Sequence, residues 1–266
     1  MGYDVSKIVK PKVATNLTID SFHKDPNKRN IFMQIEPNVI HNHEAEIIKQ
    51  CENYDFIITY NDEVLKKCKN AYKCVYGTSW IKPEHYDHIN IKNKVFRITT
   101  VVGSKSGTAG YKLRRNSYDS QNLITSVPTR FFISAHSNNI QPRKNKNTPK
   151  LNKNSKDNLF KDSQFCLVIE NSRQTNYFTE KLCDCIITKT IPVYWGCPNI
   201  SEYFDTKGWI ILEDESMEHL SKKVNALTPE YYMKHIDTVE KNYTKVKEYI
   251  DKYENLNRAL RGIPGY

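Results

Sequence analysis

The sequence predicts an α/β fold with two lobes, because short apolar strands alternate with helices in two successive units of the chain. Residues 56–60 and 165–169 are apolar runs with the length and composition of buried strands. Residues 179–188 have apolar side chains at i, i+3 and i+4, which give a helix one face to pack on a sheet. Repeated strand-to-helix alternation is typical of a parallel sheet covered by helices.

The first unit, predicted for residues 1–90, contains three strands and two helices. The turn Glu36-Pro37-Asn38 ends its first strand, and Gly77-Thr78-Ser79 follows its last. The strands are expected at residues 30–35, 56–60 and 72–76, and the helices at 41–51 and 62–68.

The second unit, predicted for residues 91–266, has the more regular pattern. Strands are expected at residues 95–102, 130–133, 165–169, 191–195 and 209–212, and helices at 179–188, 217–227 and 231–256. A glycine- and serine-rich loop at 103–110 leads into the segment 111–119. Residues 141–161 carry Arg143 and six lysines against one acid, Asp157, and we expect a solvated loop there.

Composition limits the classes of function. With 40 Lys and Arg against 30 Asp and Glu, the chain of 266 residues has a net charge of +10, which favours nucleic acid, phosphorylated small molecules or a membrane surface as partners. Its 17 Tyr, 10 Phe and 3 Trp exclude a wholly disordered chain. No apolar run approaches the ~20 residues of a membrane span. The seven cysteines lack zinc-site spacing and the first residues lack a signal-peptide core, so we expect a soluble cytoplasmic protein.

Candidate ligand-binding residues follow the strands, because open α/β sheets bind ligands beyond the carboxyl ends of their strands. After residues 165–169, the cleft is predicted to receive Glu170, Asn171, Tyr177, Glu180 and Lys181. Helix 179–188 begins beside these residues, and a helix N-terminus with a lysine favours a phosphate.

Two further positions fit the same chemistry. Arg114 and Arg115 follow the glycine- and serine-rich loop, where a basic pair is either exposed or used for a phosphate. Glu36 is predicted to be the single acid at a strand end facing the cleft, where a carboxylate acts as general base on a hydroxyl.

Other catalytic motifs do not occur in the sequence. The glycines at 103–110 match neither a Walker A loop nor GxGxxG, which argues against a P-loop or nicotinamide enzyme. No G-x-S-x-G elbow supports a serine hydrolase. There is also no Asp-x-Asp strand terminus to hold a divalent cation on a nucleotide sugar.

Residues 170–198, ENSRQTNYFTEKLCDCIITKTIPVYWGCP, resemble the donor-binding signature of the family 10 fucosyltransferases. That signature combines an acidic-Asn pair, Tyr-x-Thr-Glu-Lys and Pro-[VI]-[YV]-x-Gly-x-Pro. Weaker similarities occur in the same order at Arg115-Asn116 and at Ile35-Glu36-Pro37-Asn38, where the family's serine is absent. The likeness is closest to the compact soluble members of bacteria and large viruses.

This resemblance implies a GT-B fold, with two Rossmann-like lobes facing a cleft. It implies that Glu180 binds the nucleotide ribose, that Lys181 and Arg115 bind the diphosphate, and that Tyr177 and Asn171 line the nucleotide pocket. It implies an inverting glycosyltransferase with Glu36 as base and no required metal or other cofactor. GDP-fucose is the family's donor, another donor such as UDP-xylose stays open, and the acceptor is a glycan hydroxyl. A catalytically inactive sugar- or nucleotide-binding relative is the alternative, and a basic nucleic-acid-binding protein is a weaker one.

Overall fold

The computed structural model describes residues 5–137, 139–141, 148–264 and 266. The strands are β1 (Thr15–Ile19), β2 (Arg29–Met33), β3 (Phe56–Thr59), β4 (Ala71–Lys73), β5 (Val95–Val102), β6 (Thr129–Ser134), β7 (Lys150–Leu151), β8 (Ser163–Ile169), β9 (Ile191–Trp195) and β10 (Ile210–Ile211). The helices are α1 (Glu44–Gln50), α2 (Asp62–Lys67), α3 (Pro83–Tyr86), α4 (Ala109–Asp119), α5 (Glu180–Ile187), α6 (Met217–Asn225), α7 (Pro229–Lys234), α8 (Ile236–Ile250) and α9 (Lys252–Arg261). Within the described ranges, no helix combines the length and apolar character needed to cross a bilayer.

The first sheet is parallel and has the strand order β1-β2-β3-β4. Its edge strand β1 was not predicted, because its sequence TNLTI alternates polar with apolar residues and is only half-buried. Since Ile19 pairs with Met33, the chain leaves β1 beside the point where it leaves β2. Asp20 and Glu36 therefore follow neighbouring strands at the same edge of the sheet.

The second sheet is parallel, with the order β10-β9-β8-β5-β6-β7. Every residue of β8 is buried, and its side chains alternate between two cores: Phe165, Leu167 and Ile169 pack on one face, Cys166 and Val168 on the other. This burial on both faces explains the unbroken apolar run that made the strand easy to predict. It also places Glu170, the next residue, at the middle of the carboxyl edge.

The C-terminal region differs from the prediction. The single helix expected at residues 231–256 is three helices, α7, α8 and α9. Asp251 ends α8 with an extended conformation and caps α9 by accepting hydrogen bonds from the backbone N–H groups of Tyr253 and Glu254. Helix α9 then packs Leu256 and Leu260 into the core of the first sheet. The lobe boundary at residue 90 stays a prediction, with α9 as a C-terminal contribution to the first core.

The basic stretch 141–161 is only partly described, since residues 142–147, which include Arg143, lie outside the described residues. The part that follows forms β7 and a 3₁₀ turn at Lys153–Leu159. Lys156 of this turn is not a solvated surface charge, because its Nζ lies 2.7 Å from Oδ2 of the fully buried Asp184 on α5. It also lies over the ring of Trp80, 4.0 Å from the centroid.

Candidate active site

The carboxyl ends of the two sheets meet at the loop that joins β8 to α5. Asn176 of this loop donates from Nδ2 to the carbonyl oxygen of Tyr60 (3.0 Å) and to Oδ1 of Asp62 (2.8 Å), both of which follow β3. Its Oδ1 accepts from Nζ of Lys73 (3.2 Å) and from Nδ2 of Asn199 (2.9 Å). Asn176 has a φ of 61°, a conformation that asparagine adopts more readily than most residues. This side chain therefore connects the candidate donor loop to the first sheet.

Glu170 holds the start of α5. Its side chain has no exposed surface, and its two oxygens accept hydrogen bonds from the backbone N–H (2.9 Å) and the hydroxyl (2.8 Å) of Thr179, the N-cap of α5. Hydrogen bonds to a charged group contribute about 1.5–3 kcal/mol each. The expectation that Glu170 faces the cleft is wrong, because its carboxylate is used within the fold.

Lys181 and Glu180 form a compact charged group at the first turn of α5. The Nζ of Lys181 lies 2.9 Å from Oγ1 of Thr179, 3.3 Å from Oε1 of Glu180 and 3.4 Å from Oε2 of Glu170. Burial disfavours the charged form of both residues. For Lys181, the two carboxylates outweigh burial and raise its pKa. For Glu180, Lys181 and Lys156 outweigh burial and lower its pKa. Both side chains therefore stay ionised at neutral pH.

Arg114 extends this cluster from α4. Its Nη2 donates to Oδ1 of Asn171 (2.8 Å), and its guanidinium lies 4.7 Å from the ring centroid of Tyr111. Gly110 permits the contact between α4 and the end of β8, since a Cβ there would overlap the carbonyl oxygen of Glu170. The Nε of Arg114 is buried and has no hydrogen-bond partner among the described residues. An unsatisfied buried donor beside Lys181 fits an anionic ligand.

Arg115 does not join the other predicted residues. Its Nε donates to Oδ2 of Asp119 (3.0 Å) along the surface of α4, and 41% of its side chain is exposed. Successive residues of a helix point about 100° apart, so only one member of the Arg114–Arg115 pair can face Asn171. The structure places Arg114, and not Arg115, beside Asn171, while the role of Arg115 on the diphosphate stays a prediction.

Tyr177 is buried at the junction of the sheets. Only 4% of the residue is exposed, and its ring lies 5.5 Å from that of Tyr60, centroid to centroid. Burial and the negative charge of Glu170 raise the pKa of Tyr177, so it stays protonated. The structure thus places Tyr177 near Glu170 and Glu180, with little of its surface open to a ligand.

Glu36 lies across the cleft, at the end of the first sheet. Burial, and then the negative charge of Asp20, raise the pKa of Glu36 above its ordinary 4.5. His41, Lys181 and Lys105 oppose this shift without cancelling it. Tyr60 connects the turn after β2 to the loop before α5, because its hydroxyl donates to the carbonyl oxygen of Glu36 (3.1 Å) and its ring lies 5.5 Å from that of Tyr177.

The sequence predicted Glu36 to be the single acid at this edge of the sheet, but the structure places a second acid there. Asp20 follows β1, and its carboxylate accepts from the backbone N–H groups of Ile35 (3.0 Å) and Glu36 (3.1 Å). Asp20 was missed because β1 was missed. Asn176 was missed, and Arg115 was preferred to Arg114, for another reason: the direction of a side chain in a loop or helix is set by packing. The available signal was a polar residue directly after each strand. Had β1 been predicted, the same rule would have identified Asp20.

One cavity lies away from these residues. A groove of about 820 Å³ runs between residues 201–206 and α8, and Tyr203, Asp205, Lys241 and Lys245 are among its lining residues. None of the predicted site residues lines it. The electrostatically coupled groups of the candidate site lie instead at the strand ends, where an open α/β sheet binds its ligand.

Solved structures with the same arrangement define the class of fold. An α1,3-fucosyltransferase crystallised with GDP-fucose aligns over 88% of this chain and 80% of its own, with a TM-score of 0.50 and 17% identity. S. aureus TarM aligns over 89% of this chain and 51% of its own, with a TM-score of 0.55 and 12% identity. A trehalose 6-phosphate synthase from Burkholderia multivorans gives a TM-score of 0.52 at 9% identity, over 88% of this chain and 66% of its own. The fold is therefore GT-B, as predicted.

The family follows from the sequence comparison. Residues 112–258, more than half of the chain, match glycosyltransferase family 10 (fucosyltransferase), C-terminal region. The chain belongs to this family, which confirms the predicted resemblance. It is 27% identical over 117 residues to the α-(1,3)-fucosyltransferase FucT of Helicobacter pylori. That match covers 44% of this chain and 22% of the relative, so the chain spans about a fifth of that protein's length.

Proposed function

We propose that this chain transfers a sugar from a nucleotide-diphosphate sugar, GDP-fucose, to a hydroxyl of a glycan acceptor with inversion at the anomeric carbon. The observation that carries the proposal is the convergence of Arg114 and Lys181 beside the end of β8. Arg114 donates to Asn171 (2.8 Å) and Lys181 lies 3.4 Å from the carboxylate of Glu170, so the two cations contact consecutive residues at the end of β8. Arg114 also keeps a buried donor free among the described residues.

In this proposal the diphosphate lies between Arg114 and Lys181, at the N-terminus of α5. As the bond from the anomeric carbon to the diphosphate oxygen breaks, its electron pair leaves with the diphosphate. The two side chains and the backbone N–H groups of the helix end stabilise that charge. Glu180, kept ionised by Lys181, accepts from the ribose hydroxyls, while Asn171 and Tyr177 shape the nucleotide pocket.

Glu36 acts as general base in this proposal. The acceptor oxygen forms its bond to the anomeric carbon while its proton passes to the carboxylate of Glu36. Because Glu36 belongs to the first sheet and Lys181 to the second, the acceptor attacks from the side opposite the diphosphate. Attack on the face opposite the leaving group inverts the anomeric centre.

Calorimetry with GDP, GDP-fucose, UDP and UDP-xylose tests the site and the donor together. We expect the guanine nucleotides to bind and Lys181→Ala to weaken GDP binding by about tenfold or more, since a charge-assisted contact is lost. Lys222→Ala, which removes an exposed lysine on α6, is the control and should bind as the wild type does.

Each other outcome of the binding measurements is decisive. Tighter binding of UDP and UDP-xylose would identify the alternative donor in place of GDP-fucose, with the proposed site unchanged. Unchanged GDP affinity in Lys181→Ala would exclude the first turn of α5 as the nucleotide-binding site. GDP-fucose binding with no release of GDP in the presence of a glycan array would favour a catalytically inactive sugar-binding relative.

A further inference from the structure

The peptide groups on both sides of Glu36 are fixed by side chains of neighbouring strands. The Asp20 carboxylate accepts from the N–H groups of Ile35 (3.0 Å) and Glu36 (3.1 Å), one to each oxygen. The hydroxyl of Tyr60 donates to the carbonyl oxygen of Glu36 (3.1 Å). In the described part of the chain, the Glu36 carboxylate itself has no ion pair. The backbone of Glu36 is thus held in place while its carboxylate stays available.

Asp20 takes up an uncommon conformation to reach these groups. Its φ is 48°, and its own N–H donates to the carbonyl oxygen of Met33 (2.9 Å), which continues the pairing of β1 with β2. A left-handed conformation is costly for most residues and is tolerated best by Gly, Asn and Asp. Here it directs the carboxylate at two consecutive N–H groups of the adjacent strand end.

We propose that Asp20 is a positioning residue for the transfer reaction, which fixes the turn carrying Glu36 and places a second negative charge beside that carboxylate. The inference rests on the proposed role of Glu36 as general base. In that role, Glu36 must hold the acceptor hydroxyl at hydrogen-bonding distance. Asp20 acts through Glu36 and needs no contact with the sugar.

The negative charge of Asp20 shifts the pKa of Glu36 in a definite direction. A like charge nearby disfavours ionisation of Glu36 and raises its pKa, so the base loses its proton only at higher pH than an isolated glutamate would. Burial raises the pKa of Asp20 as well, while the N–H groups of Ile35 and Glu36 and the nearby His41 and His43 act to lower it. The charges of His41, His43, Lys105 and Lys181 act on one or both of these carboxylates, and the carboxylates in turn raise the pKa values of Tyr60, Tyr76 and Tyr177.

The test is the pH dependence of kcat for Asp20→Asn, with GDP release from GDP-fucose as the assay. Asparagine tolerates the left-handed conformation and retains one acceptor oxygen, but it removes the charge. We expect kcat to fall about tenfold and the acidic limb of the profile to move to lower pH by about half a unit or more. Affinity for GDP should stay within about twofold, because Asp20 lies on the acceptor side.

Asp55→Asn is the matched control. Asp55 is an exposed aspartate whose carboxylate accepts from the N–H of Asn30 (2.7 Å), at the opposite end of the same strand β2. This variant loses the same charge and a similar hydrogen bond far from Glu36, so the acidic limb should stay in place. A wild-type profile for Asp20→Asn, or a loss of rate with an unmoved acidic limb, would overturn the proposal.

A second measurement needs no variant. In a ¹³C NMR titration of the wild-type protein, the Asp20 carboxyl carbon should titrate at lower pH than the Glu36 carboxyl carbon, so that the charge of Asp20 is present when Glu36 loses its proton. A Glu36 carboxyl that loses its proton before Asp20 does would contradict the proposal even if Asp20→Asn does not fold. A different variant tests the proposed function. Retained turnover in Glu36→Gln would exclude Glu36 as the general base, whatever the result for Asp20→Asn.

Discussion

The two glutamates on opposite sides of the cleft, Glu180 and Glu36, have pKa values shifted in opposite directions. Burial opposes ionisation of both. At Glu180 the positive charges of Lys181 and Lys156 outweigh it and the pKa falls, whereas at Glu36 the negative charge of Asp20 adds to it and the pKa rises. Two carboxyl groups whose surroundings move their pKa values apart are suited to different roles, and the one with the raised pKa is the better candidate to exchange a proton.

The difference arises from how each side of the cleft is built. On the second sheet, Glu170, Thr179, Glu180 and Lys181 contact one another within 3.4 Å, so their side chains are held in one arrangement. On the first sheet, the contacts reach the backbone of Glu36 and not its carboxylate. In the proposed mechanism, the second sheet therefore holds the donor in one position and the first sheet provides the group that exchanges a proton.

Removal of the base should have the largest effect. Glu36→Gln keeps the shape of the side chain but cannot accept a proton, so we expect kcat to fall by about 10³-fold or more, while GDP affinity changes by no more than a few-fold. GDP release from GDP-fucose and calorimetry measure the two quantities. Glu63→Gln, at an exposed glutamate on α2, is the control. Turnover near the wild-type rate in Glu36→Gln would end the contrast between a binding and a catalytic glutamate.

A comparison of the two adjacent arginines should give the next largest effect. Arg114→Ala removes a buried guanidinium next to Lys181 and should weaken GDP binding by about 10- to 100-fold, the range for a charge-assisted contact with a phosphate. Arg115→Ala removes an exposed arginine paired with Asp119 and should change the affinity by less than about twofold. Calorimetry with GDP separates them. A larger loss of GDP affinity in Arg115→Ala than in Arg114→Ala would return Arg115 to the site and mean that α4 is rotated about its axis relative to this structure.

The site could be predicted from the sequence on one side of the cleft and less well on the other. The donor side follows β8, whose burial on both faces leaves an apolar run that is visible without a structure. The acceptor side depends on β1, an edge strand that alternates polar and apolar residues and gives no such run. Asp20 was lost with that strand.

Side-chain direction set a second limit. Sequence spacing identified a basic pair after the glycine- and serine-rich loop, but the choice between Arg114 and Arg115 depends on how α4 packs against the end of β8. That packing is fixed by the close approach at Gly110, which no local pattern reveals. The long helix expected at residues 231–256 failed for a similar reason, because the bend at Asp251 serves the packing of α9 on the first sheet.

The smallest expected effect concerns metal ions, and it tests whether the donor side supplies its own positive charge. If Arg114, Lys181 and the N-terminus of α5 stabilise the departing diphosphate, excess EDTA should change the rate of GDP release by less than about twofold. Arg114→Ala offers the sharper form of the test. If fixed cations do this work, Mg²⁺ should restore part of the activity lost in Arg114→Ala and add little to the wild type. Loss of wild-type turnover in EDTA, recovered by Mg²⁺, would instead mean that the cations of this side of the cleft bind the nucleotide without sufficing for its departure.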